Sequence, residues 1–348
     1  MSDFPALPYP WQQDIWQRLL QQHHNQRLPH ALMLTGPRGV GKRHLARALG
    51  QWLLCHAPTA DAACGQCKGC ELNRAGTHPD FIELMPKETG KAIRVDDVRE
   101  LTEALMKTAQ MNSYKVAILC PAEAINLAAA NALLKTLEEP GAKTLLLLVT
   151  DMPGAILPTV RSRCQLHTQP LPAREQSLRW LQPLLTGAGM EADELLDMAR
   201  GAPLAARDLL AGDAVEVRRQ WQADLGRLTL GQVDALSIAG RWQSAEGTDL
   251  LDWLISWLHA VACWQNGISW RSLERLDEAF RAQLSRLQPS LLHRYLEKLL
   301  SAKKHWISGA NPNKQLLLEE LLLDWQVLLR VSRRAEQQAS ASQSGERG

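Results

Sequence analysis

Three groups of residues have the types and spacing that chemistry needs. The first is Thr35-Gly36-Pro37-Arg38-Gly39-Val40-Gly41-Lys42-Arg43. An apolar run, His30-Ala31-Leu32-Met33-Leu34, precedes it, and a helical run from His44 to Leu54 follows. A strand, a glycine-rich turn and a helix form the setting in which backbone N–H groups cradle phosphates. Gly36, Gly39 and Gly41 supply the backbone freedom, and Lys42 stands where a phosphate-binding lysine belongs. The next position should carry the Ser or Thr hydroxyl that ligates magnesium, and here it is Arg43. The acidic residues that should end a second buried strand, Lys115 to Leu119, are also absent: Cys120-Pro121 follows, with Glu123 three residues after Cys120. Both magnesium-handling groups are missing together, so no ATP hydrolysis by this chain is expected. The surviving glycines and Lys42 keep nucleotide binding without turnover open.

The second group is Cys55 with Cys64-x2-Cys67-x2-Cys70. Four thiolates at this spacing suit a closed tetrahedral zinc site, which leaves no open coordination position and is therefore structural. Zinc would staple the insertion from Pro58 to Pro79, whose apolar content is too low to fold unaided. Reduced thiols in a loop are the plainer alternative. The third group is Arg161-Ser162-Arg163-Cys164. An arginine in a loop at a sheet edge can reach a neighbouring subunit's γ-phosphate, although taken alone a pair of surface arginines is the simpler reading.

The elements that must position these groups follow from periodicity. Ala31–Leu34, Lys115–Cys120 and Leu145–Thr150 are near-continuous apolar runs, and Cys164–His167 is a fourth strand candidate. Buried strands alternating with helices predict a parallel sheet covered on both faces. A lead helix spans 11–24. Asp96 or Asp97 is expected to cap a helix carrying Val98, Leu101 and Leu105, and one long helix is expected from Ala122 to Glu139. After Pro170-Leu171-Pro172 the strand signals stop. Helices are expected at 174–185 and 191–200, with Gly201 closing the latter and Pro203 opening the next. The remainder is Leu-rich, and most of its tryptophans (Trp221, Trp242, Trp253, Trp257, Trp264, Trp270, Trp306 and Trp325) are expected to pack a core.

The 348 residues exceed one ordinary domain. A formal charge of +2 is not that of a protein gripping nucleic acid by charge alone. No secretory signal and no apolar run long enough for a membrane span is visible, so a cytoplasmic chain is expected.

These residues carry a resemblance. Asn131-Ala132-Leu133-Leu134-Lys135-Thr136-Leu137-Glu138-Glu139-Pro140, Ser162-Arg163-Cys164, the four-cysteine spacing and Gly76-Thr77-His78-Pro79-Asp80 closely resemble bacterial clamp-loader subunits of the AAA+ class, those of DNA polymerase III. The likeness runs from about residue 10 to 330. It implies a RecA-like AAA+ module with a parallel sheet over 1–167, including a zinc-binding insertion at 55–79. An all-α lid over 168–213 and an all-α collar over 214–334 would follow, with a disordered tail at 335–348. In such complexes five subunits form an arc, a hetero-pentamer of ATPase gamma/tau subunits, delta and this kind of chain. The arc places the sliding clamp on primer-template DNA. Arg43, Cys120 and Pro121 depart from the motor subunits, and Leu204 stands where a motor's nucleotide-sensing arginine would be. The resemblance therefore implies a non-hydrolysing, stator-like member of the polymerase holoenzyme. It would offer Arg163 as an arginine finger in trans. Arg161 is a lesser candidate, and Thr150 matches a phosphate-sensing position. Gly36, Gly39, Gly41, Lys42 and Arg43 would then be a vestigial nucleotide site. Two alternatives stay open: an active motor using Glu123, and a zinc-dependent DNA-binding adaptor, which the near-neutral charge counts against.

Overall fold

The computed structural model describes residues 4–345 apart from 89–90, 112–113, 186–190, 212, 246, 269 and 308–312. It divides into two compact units. One comprises residues 1–181 with 201–205, the other 182–200 with 206–348. Residues 168–213, expected as a separate lid, are shared between the two.

The first unit holds five parallel strands: β1 (Ala31–Thr35), β2 (Phe81–Leu84), β3 (Lys115–Leu119), β4 (Thr144–Val149) and β5 (Gln165–Thr168), in the order β2-β3-β4-β1-β5. β1, β3 and β4 are buried throughout. Their alternating side chains divide between two cores. Leu32, Leu34, Val116, Ile118, Leu145 and Leu147 face α1 (Gln13–His24) and α2 (Lys42–Leu53), meeting Trp16, Leu19, Leu45 and Leu49. Ala31, Met33, Ala117, Leu119, Leu146 and Leu148 face α4 (Val95–Met106) and α5 (Leu127–Glu138), meeting Val98, Leu101, Leu105, Leu133 and Leu137. Between α2 and α4 in sequence lies α3 (Lys68–Ala75), and α6 (Pro158–Arg161) leads into β5. This is the expected RecA-like AAA+ arrangement.

Three local readings need correction. Arg94, not Asp96 or Asp97, precedes α4, and both aspartates lie in its first turn, where the helix dipole favours them. The helix expected from Ala122 begins only at Leu127. Ala122–Ala124 form a single 3-10 turn, Ile93 pairs with Ile125, and Asn126 caps α5 by accepting from the Ala129 N–H. Finally, the last helix does not stop at residue 334.

The remaining helices are α7 (Arg174–Leu181), α8 (Ala192–Met198), α9 (Pro203–Leu209), α10 (Ala214–Thr229), α11 (Ala235–Trp242), α12 (Gly247–Gln265), α13 (Arg271–Glu274), α14 (Glu278–Ser285), α15 (Pro289–Ile307) and α16 (Lys314–Gly345). Gly201 is left-handed behind α8, and Pro203 opens α9, as expected. In the second unit α12 lies against α15 and α11 against α16. Trp221, Trp242, Trp253, Trp257 and Trp325 are buried in one core, with the Trp325 indole N–H donating to Thr229 Oγ1. α16 continues through the segment expected to be a disordered tail. Its Ala, Glu and Gln residues are good helix formers, and extending an existing helix needs no new nucleus. Residues 346–348 lie outside those described. Among the described residues no helix is long and apolar enough to cross a membrane.

Candidate functional site

In a parallel sheet the carboxyl ends of all strands share one edge, where α/β proteins place ligands. The glycine loop leaves β1 on that edge. Gly41, with φ of 90°, precedes α2 in the left-handed region. Gly36 has φ of 131°, and a Cβ there would lie 2.0 Å from the Gln169 carbonyl oxygen. The loop is therefore built into its surroundings. The Val40 carbonyl accepts from Trp11 Nε1 and Gln12 Nε2 at 2.9 and 3.1 Å. Gln12 Nε2 also donates to the Gly41 carbonyl, and the Leu204 N–H donates to the Gly39 carbonyl. Leu204 thus meets the loop through its backbone and brings no side-chain charge.

Lys42 is buried, and its ammonium has three donors. It lies 2.8 Å from the Gly36 carbonyl, 2.6 Å from the Pro37 carbonyl and 2.6 Å from Asp151 Oδ1. All three are taken within the chain. Arg43 turns to β2, where its Nε sits 2.5 Å from Glu83 Oε1, and Arg47 holds the other oxygen of the same carboxylate. Burial pushes the Cys120 thiol up to about 11, against the pull of Arg43, so Cys120 is a neutral thiol near pH 7. It offers magnesium no anionic ligand. Glu123 lies in the 3-10 turn after Pro121. Its Oε1 accepts from the Asp151 N–H, and its Oε2 is buried with no hydrogen-bond partner among the described residues. The Thr150 hydroxyl accepts from the Met152 N–H in the turn that presents Asp151.

Asp151, Glu83 and Gln12 were not singled out in the sequence. Asp151 did carry a signal, because it follows the last buried residues of an apolar strand and so had to reach the loop edge. Glu83 is the one charge within Phe81-Ile82-Glu83-Leu84. Gln12 carries no local signal.

The four cysteines converge. Cys55 follows α2, Cys64 sits in the loop, Cys67 caps α3 and Cys70 lies in its first turn. Their sulfurs all lie within 4.8 Å of one another, with Cys55–Cys67 at 3.8 Å, Cys64–Cys70 at 3.9 Å and Cys55–Cys70 at 3.7 Å. Tetrahedral zinc–thiolate bonds of ~2.3 Å imply sulfur–sulfur edges of about 3.8 Å. The donor set fits a closed, four-thiolate ion. Backbone N–H groups of Gln66 and Cys67 pull the Cys64 thiol down to about 6, toward the ligating form. Among the described residues, Ala63 and Phe4 form a small apolar cluster with the sulfurs, and Arg74 lies over the Phe4 ring. Next in sequence, Asp80 is buried and accepts from the Gln110 and Met111 N–H groups, which gives the Thr77-to-Asp80 stretch a structural task.

Arg163 lies on the surface between α6 and β5. Its Nη2 is 2.6 Å from Glu138 Oε1, and its Nη1 donates to the Thr159 carbonyl at 2.9 Å. The neighbouring Cys164 is partly buried against the core beneath α4 and α5, and that burial pushes its thiol up to about 12. Arg161 is exposed at the end of α6. The glycine loop, the cysteine cluster and Arg163 are thus three separate places on the first unit.

Known proteins match along this whole architecture. The family described as "DNA polymerase III, delta subunit" matches residues 11–171, and "DNA polymerase III, delta subunit, C terminal" matches residues 213–327. The DNA polymerase III subunit delta' of Pseudomonas aeruginosa is 39% identical over 330 residues, covering 91% of this chain and 97% of the relative. That of Escherichia coli K12 is 35% identical over 326 residues, covering 90% and 94%. The DNA polymerase III subunit tau of Salmonella typhimurium is 30% identical over 279 residues, covering 76% of this chain and 42% of the relative. With such identity along nearly the full length of both chains, the protein belongs to the family of DNA polymerase III delta' subunits.

Proposed function

We propose that the chain is the non-hydrolysing, stator-like subunit of the DNA polymerase III clamp loader, and that it supplies Arg163 to the ATP site of a neighbouring motor subunit. The observation that carries the first half is Lys42, whose three donors are spent on Gly36, Pro37 and Asp151. Arg43 and Cys120 add no magnesium ligand, since one is bound to Glu83 and the other is a neutral thiol. Any nucleotide that binds must displace Asp151 and would not be turned over. The second half rests on the exposed Arg163 within Ser162-Arg163-Cys164, whose polar partners all lie outside the glycine loop.

The partners in this reading are the gamma/tau motor subunits and delta, in a hetero-pentamer. The sliding clamp and primer-template DNA are engaged through the complex, in the cytoplasm where the bacterial chromosome is copied. Similarity to a tau subunit supports descent from a shared subunit plan. A stripe of exposed apolar residues on α16 (Leu316, Leu323, Val327 and Val331) suits a collar that packs against other subunits. Residues 168–213 would act as the lid. Zinc at Cys55, Cys64, Cys67 and Cys70 is structural, holding the 55–79 insertion.

The experiment is DNA-stimulated ATP turnover by loader reconstituted with Arg163→Ala. An arginine finger is worth on the order of 10³-fold or more at its site, so turnover at the adjoining motor should collapse. Unchanged turnover removes the finger role. The unpartnered Glu123 Oε2 favours one second reading, a motor with Glu123 as its carboxylate. Turnover by the isolated chain that Lys42→Ala abolishes would select it.

A further inference from the structure

The Arg163 guanidinium is held from behind. Glu138, the last residue of α5, accepts from Nη2 at 2.6 Å, and the Thr159 carbonyl accepts from Nη1 at 2.9 Å. A guanidinium carries five N–H donors in one plane. Nη1 also lies 3.5 Å from Ser162 Oγ; these bonds fix that plane, and Nε–H and a second Nη2–H remain without an acceptor among the described residues. Glu138 is also out of place as a helix residue. It sits at the negative end of the α5 dipole with Glu139 beside it, where a carboxylate is disfavoured. The pair is half in solvent, with side chains 36% and 52% exposed, and exposed ion pairs contribute little to stability. Its consequence is geometric.

We propose that Glu138 is the positioning residue for Arg163. Together with the Thr159 carbonyl it orients the guanidinium so that the free N–H edge faces outward, toward an incoming phosphate of a neighbouring subunit. This rests on the reading of Arg163 as a finger. Glu138 touches no nucleotide and acts only through Arg163.

The test compares loader reconstituted with Glu138→Ala, Glu138→Gln, Arg163→Ala and the double variant Glu138→Ala/Arg163→Ala, measuring kcat and KM for DNA-stimulated ATP hydrolysis. Assembly is checked by gel filtration. Loss of orientation predicts a fall in kcat of about tenfold for Glu138→Ala, short of the roughly 10²-fold that a 1 Å misplacement can cost. KM for ATP should hold. Glu138→Gln, which keeps the accepting oxygen, should recover most of the rate. The double variant should be no slower than Arg163→Ala alone. Normal kcat in Glu138→Ala beside a defective Arg163→Ala overturns the positioning role and leaves the finger standing. A Glu138→Ala defect that persists in the Arg163→Ala background also overturns it. Normal turnover in Arg163→Ala removes the finger, and this inference with it. Should Glu138→Ala fail to assemble, Glu138→Gln decides: near-normal kcat supports the role, and a loss as deep as that of Arg163→Ala contradicts it.

Discussion

Lys42 and Asp151 form an ion pair across the carboxyl edge of the sheet, 2.6 Å apart, with Lys42 only 4% exposed and Asp151 38% exposed. The residue that would hold phosphate in an active loop is thereby neutralised from the end of β4. Asp151→Ala leaves a buried ammonium with two carbonyls and no counter-charge. Removing one partner of a fully buried pair costs about 3–5 kcal/mol. Because Asp151 is partly solvated and the carbonyls remain, about 1–2 kcal/mol is expected here. Urea denaturation of the isolated chain reads this directly, and unchanged stability would show the pair to be idle.

Gly36→Ala tests whether the loop is scaffold. The added Cβ would sit 2.0 Å from the Gln169 carbonyl oxygen, at a φ of 131° that alanine tolerates poorly. Strain and overpacking together should destabilise the chain by about 2–4 kcal/mol. A thermal melt with the midpoint of the unaltered chain would contradict the close packing described.

The cysteine cluster predicts one zinc per chain that a strong chelator removes. Cys70→Ser, at a fully buried ligand position, should abolish zinc retention. Without the ion the 58–79 insertion keeps only a few apolar contacts, so limited proteolysis should cut there first. Native protein free of zinc by elemental analysis would refute the site.

Asp234 supplies a pH signature in the helical unit. It caps α11, accepting from the Ser237 N–H and hydroxyl, and these bonds hold its carboxyl below the usual carboxylate range. A depressed folded-state pKa stabilises the fold above the unfolded-state value, and that contribution fades as pH falls through the folded-state value. Asp234→Ala should therefore be less stable than the unaltered chain near neutral pH, with the gap closing as the solution is acidified below pH ~4. A gap that stays constant with pH would assign the cap to something other than the carboxylate.

Much of this was legible in the residues. β1, β3 and β4 are buried on both faces, so their apolar runs declare them. The CxxC spacings mark the sulfur cluster because thiolate ligation constrains sequence distance directly. β5 begins one residue later than its sequence suggests, because it is a mostly exposed edge strand without a continuous apolar signal. The break before α5 was hidden because Asn126 lies within an Ala- and Leu-rich stretch and shows its role only once it caps. Glu83 and Asp151 carry little signal for a different reason: their partners, Arg43 and Arg47 for one and Lys42 for the other, come from α2 and are adjacent to them only in the folded unit. What those pairings change is the meaning of the glycine loop, from a site short of two ligands to one whose cations are committed internally.

The most direct measurement sets Lys42 against Arg163 in one assay. Loader is reconstituted with Lys42→Ala or with Arg163→Ala, and DNA-stimulated ATP turnover is compared with the unaltered complex. Near-normal turnover is expected for Lys42→Ala, and a collapse at the adjoining motor site for Arg163→Ala. The reverse pattern, with turnover lost through Lys42 and kept without Arg163, would contradict it.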